Sequence, residues 1–156
     1  MIVVVMGVSG SGKSTIGTAL AGALGWRCLD ADSLHSEASI EAMKHGIPLT
    51  DETRAPWLAA VHARMRESAG RGEDLVVACS ALKEKYRRAL SEGVPVTWVY
   101  LKGSPALIRR RLEARSDHYM KPGMLESQLE ALEEPEDAVV VAGSQAPPSI
   151  VSEIIA

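Results

Sequence analysis

The chain has 156 residues, 46% of them hydrophobic, and its 17 basic against 20 acidic side chains give a formal net charge of −3. That length suits a single domain (residues 1–156) with a sizeable core, and the slightly acidic balance excludes a global electrostatic footprint for nucleic acid. No apolar run approaches the roughly 18 residues of a membrane span, and no basic, cleavable leader opens the chain. The expectation is therefore a cytoplasmic protein with neither a membrane nor a nucleic-acid partner. The two cysteines, Cys28 and Cys79, fall beside or within expected strands and read as buried, reduced thiols.

Ile2-Val3-Val4-Val5-Met6 is a short apolar, β-branched run, the pattern of a buried strand. Gly7-Val8-Ser9-Gly10-Ser11-Gly12-Lys13-Ser14 follows and matches the phosphate-loop pattern G-x-x-x-x-G-K-[ST] at every fixed position. Ile16, Ala19, Leu20, Ala23 and Leu24 then recur at helical spacing, and Gly25 is placed to stop the helix. A glycine/serine turn could match by chance, but the strand before and the helix after argue for a true phosphate loop. Its glycines let the backbone approach an oxyanion, and its N–H groups with the helix N-terminus form an anion cradle. Gly7, Ser9, Gly10, Ser11, Gly12, Lys13, Ser14 and Thr15 are thus the expected contacts of a nucleoside triphosphate. Lys13 supplies charge to the β- and γ-phosphates, and the Ser14 hydroxyl is offered to Mg²⁺.

Trp26 to Leu29 reads as a second strand ending in Asp30-Ala31-Asp32. Ligands of open α/β sheets bind beyond the carboxyl ends of the strands, so both acids fall on the edge that carries the phosphate loop. A solvated turn, or a helix cap by Asp32, is the plainer alternative. A short helix is expected over 34–46, closed by Gly46 with Pro48 beyond. Thr50 or Asp51 can cap the next helix. Arg54 lies in its first turn, where a cation is disfavoured, so an anionic partner is expected: Asp51 or a ligand. Pro56 falls within that same first turn, and Trp57, Leu58, Val61 and Met65 form the buried stripe. Trp57 reads as core before it reads as a sugar platform.

Leu75 to Cys79 is a third, almost wholly apolar strand, as an interior parallel strand should be. No acid ends it, so Asp30 or Asp32 must help hold Mg²⁺, through water. Ala81 to Leu90 reads as a helix on which Lys83 and Arg87, four apart, share a face; that face is either solvated or a binding surface. Val96 to Leu101 is the fourth strand. Ser104-Pro105 opens a helix rich in arginine (Arg109, Arg110, Arg111, Arg115). Residues 114–124 read as a mobile lid that would exclude water and bring positive charge to the transferring group, or else as a plain surface helix and loop. A helix with Met124, Leu125, Leu129 and Leu132, a fifth strand over Ala138 to Val141, and a last helix after Pro147-Pro148 complete a three-layer α/β fold with a parallel sheet.

Several blocks together resemble the gluconate kinases of the P-loop kinase group. They are the phosphate loop, Leu29-Asp30-Ala31-Asp32-Ser33-Leu34-His35, Gly46 to Asp51, Arg54-Ala55-Pro56-Trp57-Leu58, Cys79-Ser80-Ala81-Leu82-Lys83, Tyr86-Arg87, Tyr100 to Gly103, Arg111-Leu112, His118-Tyr119 and Met124 to Leu129. The resemblance implies a P-loop kinase fold with five strands in the order 2-3-1-4-5. It implies ATP- and Mg²⁺-dependent phosphorylation of D-gluconate to 6-phospho-D-gluconate, by a homodimer. Carried over by position, Asp32 binds and orients the acceptor hydroxyl, as a possible general base, and Asp30 holds Mg²⁺-bound water. His35, Arg54, Lys83 and Arg87 form the acceptor side, where cations meet a sugar acid's carboxylate. Arg111 is a candidate to stack on adenine and Arg115 to reach the phosphates, with His118 a further lid candidate. Departures from the family pattern fall at Ser36, where proline is usual, at Ser39 and Ala42, and at Ala142-Gly143-Ser144. A kinase for another small anionic acceptor, or a nucleotide-binding regulatory protein that has lost transfer, are the alternatives.

Overall fold

The computed structural model describes residues 1–8, 11–47, 50–104, 106–108, 110, 124–142 and 147–155. Five parallel strands stand in the order β2-β3-β1-β4-β5, as the resemblance implied. They are β1 (Ile2–Met6), β2 (Arg27–Asp30), β3 (Leu75–Ala78), β4 (Val96–Lys102) and β5 (Ala138–Ala142). β1 lies at the centre, pairing Val3 with Val76 on one side and with Thr97 on the other. Every residue of β1 is buried, which explains its unbroken apolar run: a central parallel strand has both faces covered.

Alternation along β1 divides the core into two layers. Ile2, Val4 and Met6 face the long helix α3 (Asp51–Gly70) through Trp57, Val61 and Met65. Val3 and Val5 face helix α1 (Lys13–Leu24) and the last helix (Pro147–Ile155) through Ile16, Leu20, Ile150 and Val151. Helices on both faces of a parallel sheet make the three-layer arrangement. Ala23, expected on the apolar stripe of α1, is exposed.

Gly25 stops α1 in the left-handed conformation, φ 72°. The expected 34–46 helix is split. A 3₁₀ turn over Ala31–Leu34 comes first, then α2 (Glu37–Lys44). The break is made by Ser36, whose hydroxyl accepts the backbone N–H of Ser39 and caps α2. The serine that departs from the family pattern thus supplies an N-cap of its own. Thr50 caps α3, its hydroxyl accepting from the Thr53 N–H while the Thr53 hydroxyl accepts from the Thr50 N–H. Because α3 begins at Asp51, Pro56 sits in the second turn rather than the first, and the exposed Glu52 carbonyl goes without its helical donor.

Cys28 is exposed while Cys79 is buried, and both are free thiols. The expectation of two buried thiols fails at Cys28 because β2 is an edge strand whose first residues lack cover. No helix among the described residues is long and apolar enough to cross a membrane.

Candidate active site

The phosphate loop turns from β1 into α1 under tight steric limits. A Cβ on Gly7 would lie 2.6 Å from Ser11 Oγ and 3.1 Å from the Leu101 carbonyl oxygen, so only glycine lets the loop pack against β4. Gly12 adopts φ 94° at the helix N-cap, a conformation that favours glycine. The Ser11 N–H closes the turn on the Val8 carbonyl at 3.1 Å. Lys13, the first residue of α1, is 7% exposed despite its charge, an arrangement suited to an ammonium held inside an anion cradle. Thr15 is exposed in the same first turn. Ser9 and Gly10 lie outside the described residues.

Ser14 Oγ donates to an Asp30 carboxylate oxygen at 2.9 Å, so α1 and the end of β2 bring together the two residues expected at the metal. The other Asp30 oxygen accepts the Asp32 N–H at 3.0 Å and starts the 3₁₀ turn. Asp30 therefore orients Asp32 through the backbone, leaving the Asp32 carboxylate available. The environment of Cys79 reports where these charges lie. Burial foremost pushes its thiol up to about 12, with Asp32 and Asp30 acting in the same direction and Lys13 opposing them. The end of β3 thus sits among Lys13, Asp30 and Asp32.

His35 stands beside Asp32. Its side chain is 6% exposed, and Nε2 lies 3.9 Å from Asp32 Oδ1, too long for a hydrogen bond. Burial foremost lowers the imidazole's pKa, Asp32 opposes that shift, and Arg54 adds to it. The ring is therefore neutral at pH 7. It stacks on Trp57 with centroids 4.4 Å apart and planes 10° from parallel. Trp57 in turn donates from Nε1 to the Ala31 carbonyl at 2.6 Å, locking the turn that carries both acids. Trp57 is 5% exposed and so is core, with its face given to a histidine rather than a sugar. His35 Nδ1 is buried with no hydrogen-bond partner.

Arg54 reaches this group from α3. Of the two partners expected for it, Asp51 or a ligand, Asp51 forms a long ion pair at 4.0 Å, while its closest polar contact is the Tyr86 hydroxyl, 2.5 Å from Nη1. Lys83 is the N-cap residue of helix α4 (Glu84–Ser91) and lies near enough to help hold the Asp51 carboxyl low. Arg87 departs from expectation. Its guanidinium is buried and donates to the Ala81 carbonyl at 2.7 Å and the Glu133 carbonyl at 2.8 Å. Ala81 has φ 43°, unusual for a residue with a Cβ, so Arg87 braces a strained turn and does not join Arg54. Lys83 and Arg87 do not form one basic face, because Lys83 precedes the helix and Arg87 points into the protein.

Asp32, His35 and Arg54 are thus brought together on the edge that carries Lys13 and Ser14. Arg111, Arg115, His118 and nearly all of the expected lid lie outside the described residues. Tyr86 was visible in the sequence only as part of a shared block, since its contacts with Arg54 and Asp51 span more than thirty residues.

Known proteins are similar to this chain in sequence and in fold. A family model described as an AAA domain matches residues 2–135. The gluconokinase of Gluconobacter oxydans is 43% identical over 156 residues, covering 97% of this chain and 88% of that protein. A crystal structure of a gluconokinase from Sinorhizobium meliloti superimposes with a TM-score of 0.86 at 45% identity, covering 97% of this chain and 87% of that one. An unliganded sugar kinase from a Janibacter species superimposes with a TM-score of 0.92 at 41% identity, covering 99% and 91%. The strand order, the phosphate loop and the acid-bearing edge define a P-loop kinase of the kind that phosphorylates small molecules. Within that class the chain belongs to the gluconokinase family.

Proposed function

We propose that this chain transfers the γ-phosphoryl group of ATP to a hydroxyl of D-gluconate, giving 6-phospho-D-gluconate and ADP. The observation that carries the reading is the gathering of Asp32, His35 and Arg54 beside the phosphate loop. A carboxylate that can address a hydroxyl stands next to a cation that can grip a carboxylate, which is what a sugar acid requires.

The loop N–H groups and Lys13 hold the triphosphate chain. Arg54 and Lys83 take the acceptor carboxylate, and His35, beside Asp32, lines the acceptor side. Asp32 orients the reacting hydroxyl and accepts its proton. The hydroxyl oxygen bonds to the γ-phosphorus as the bond from that phosphorus to the β–γ bridging oxygen breaks, and ADP leaves. Most of the acceleration comes from positioning and electrostatics, as is general for phosphoryl transfer. Ser14 Oγ and the Asp30 carboxylate are hard oxygen donors 2.9 Å apart and fit Mg²⁺: Ser14 would hold the ion and Asp30 its bound water. Bound there, Mg²⁺ neutralises charge on the β- and γ-phosphates.

On the strength of the family resemblance, Arg115 reaches the transferring phosphates and Arg111 stacks on adenine. The same resemblance supports a cytoplasmic homodimer, and sedimentation at assay concentration tests the subunit count. The central test is a coupled assay with ATP, Mg²⁺ and a panel of gluconate, other sugar acids and shikimate, compared by kcat/KM. Gluconate should lead the panel. Failure to form 6-phosphogluconate, or a clear preference for another acid, overturns the proposal.

A further inference from the structure

The first turns of α3 and α4 meet through four side chains, of which the reaction above uses only Arg54. The Tyr86 hydroxyl donates to Asp51 Oδ1 at 2.6 Å and accepts from Arg54 Nη1 at 2.5 Å. Lys85 forms an ion pair with the second Asp51 oxygen. Arg54 Cζ also lies 4.8 Å from the Tyr86 ring centroid, within cation–π range. Tyr86 is 5% exposed, so its phenol has little freedom to move.

This arrangement resolves a conflict built into the helix. Asp51 and Arg54 are three residues apart in one turn, the spacing at which opposite charges pair directly. Asp51 is ionised near neutral pH as any free carboxyl is, and the Lys85 and Tyr86 bonds hold its carboxyl lower still, at about 2. A direct Arg54–Asp51 pair would turn the guanidinium away from the acceptor and place a carboxylate where an anionic substrate must dock. The phenol instead takes one Arg54 donor and keeps the carboxylate 4.0 Å away. The remaining donors of the guanidinium stay available.

We propose that Tyr86 is a positioning residue for Arg54: wedged between Asp51 and Arg54, it keeps their ion pair long, preventing collapse into a hydrogen-bonded one, and presents the guanidinium to the acceptor carboxylate. Lys85 assists by taking the other Asp51 oxygen. This inference rests on reading Arg54 as the partner of that carboxylate.

The test is a KM-against-kcat comparison across four proteins. Arg54→Ala should raise the gluconate KM by about a hundredfold, the loss of a charge-assisted pair. Tyr86→Phe, which keeps the ring, should raise it by about tenfold while kcat and the ATP KM stay within about twofold. Adding Asp51→Asn to Tyr86→Phe removes the competing carboxylate and should bring the gluconate KM back to within about threefold of the unaltered protein. An unchanged gluconate KM in Arg54→Ala overturns the reading of Arg54 itself. A raised KM in Arg54→Ala with an unchanged one in Tyr86→Phe overturns the positioning role alone. Tyr86→Phe raising both substrates' KM values, without rescue by Asp51→Asn, marks Tyr86 as merely structural and likewise overturns it.

Discussion

Replacing Trp57 with phenylalanine tests how the acid-bearing turn is held. Phenylalanine keeps an aromatic face for His35 but lacks the N–H that reaches the Ala31 carbonyl at 2.6 Å. Ala31 is 0% exposed, so water does not replace the lost donor, and a buried acceptor left unsatisfied costs about 1–3 kcal/mol. The missing part of the indole leaves a void that adds about 1 kcal/mol. The sum is about 3 kcal/mol, which lowers Tm by about 6–12 °C for a chain of this length. Asp30 and Asp32 flank Ala31, so loosening the turn also misplaces the carboxylate beside His35. We expect kcat to fall by about tenfold, or about 1.4 kcal/mol of barrier, with the ATP KM within about threefold because Lys13 is held by α1. Thermal melts followed by circular dichroism and steady-state kinetics on gluconate measure both effects. A Tm within about 2 °C of the unaltered protein would refute the claim that this bond anchors the turn. A loss confined to the ATP KM would refute the link from Trp57 through Ala31 to Asp32.

Asp32→Asn should lower kcat by about a hundredfold or more while ATP binding persists; the 3₁₀ turn survives because the Asp32 backbone, not its side chain, bonds Asp30. Near-normal turnover would remove Asp32 from the reaction. Arg87→Met keeps the aliphatic stem but deletes the bonds to the Ala81 and Glu133 carbonyls, so it should cost about 3 kcal/mol of stability in urea titrations. A raised gluconate KM with unchanged stability would instead return Arg87 to the acceptor side. Asp51 has a folded-state pKa of about 2, below its unfolded value, so its contribution is present above the unfolded pKa and is lost as pH falls through the folded one. The urea midpoint should drop more steeply from about pH 4 to about pH 2 in the unaltered protein than in Asp51→Asn, and equal slopes would contradict the assignment.

Much of the fold was legible because its signals are local. The five strands appear as short apolar runs, each within a residue or two of its observed bounds, and the glycine stops at Gly25 and Gly46 lie where expected. The phosphate loop was legible for the same reason, since its chemistry is written in eight consecutive residues. Asp30 and Asp32 could be placed because the end of a strand next to a phosphate loop shares its edge. The strand order came from family resemblance and not from periodicity, which says nothing about which strands are neighbours. The exposure of Cys28 depended on that order, for an edge strand has a neighbouring strand on one side only.

The sequence by itself determined the reaction class, a nucleotide-phosphate cradle at Gly7 to Ser14 with two acids on the same edge, because those groups are set by contiguous backbone. Only the tertiary structure decided how the cations near that edge are partnered. Spacing put Lys83 and Arg87 on one face, solvated or binding, and left Arg54 to Asp51 or a ligand. Packing instead turned Arg87 inward onto two carbonyls and set the Tyr86 phenol between Asp51 and Arg54. The physical reason is that a buried guanidinium must find acceptors wherever the chain supplies them, and those acceptors lie on segments far apart in sequence.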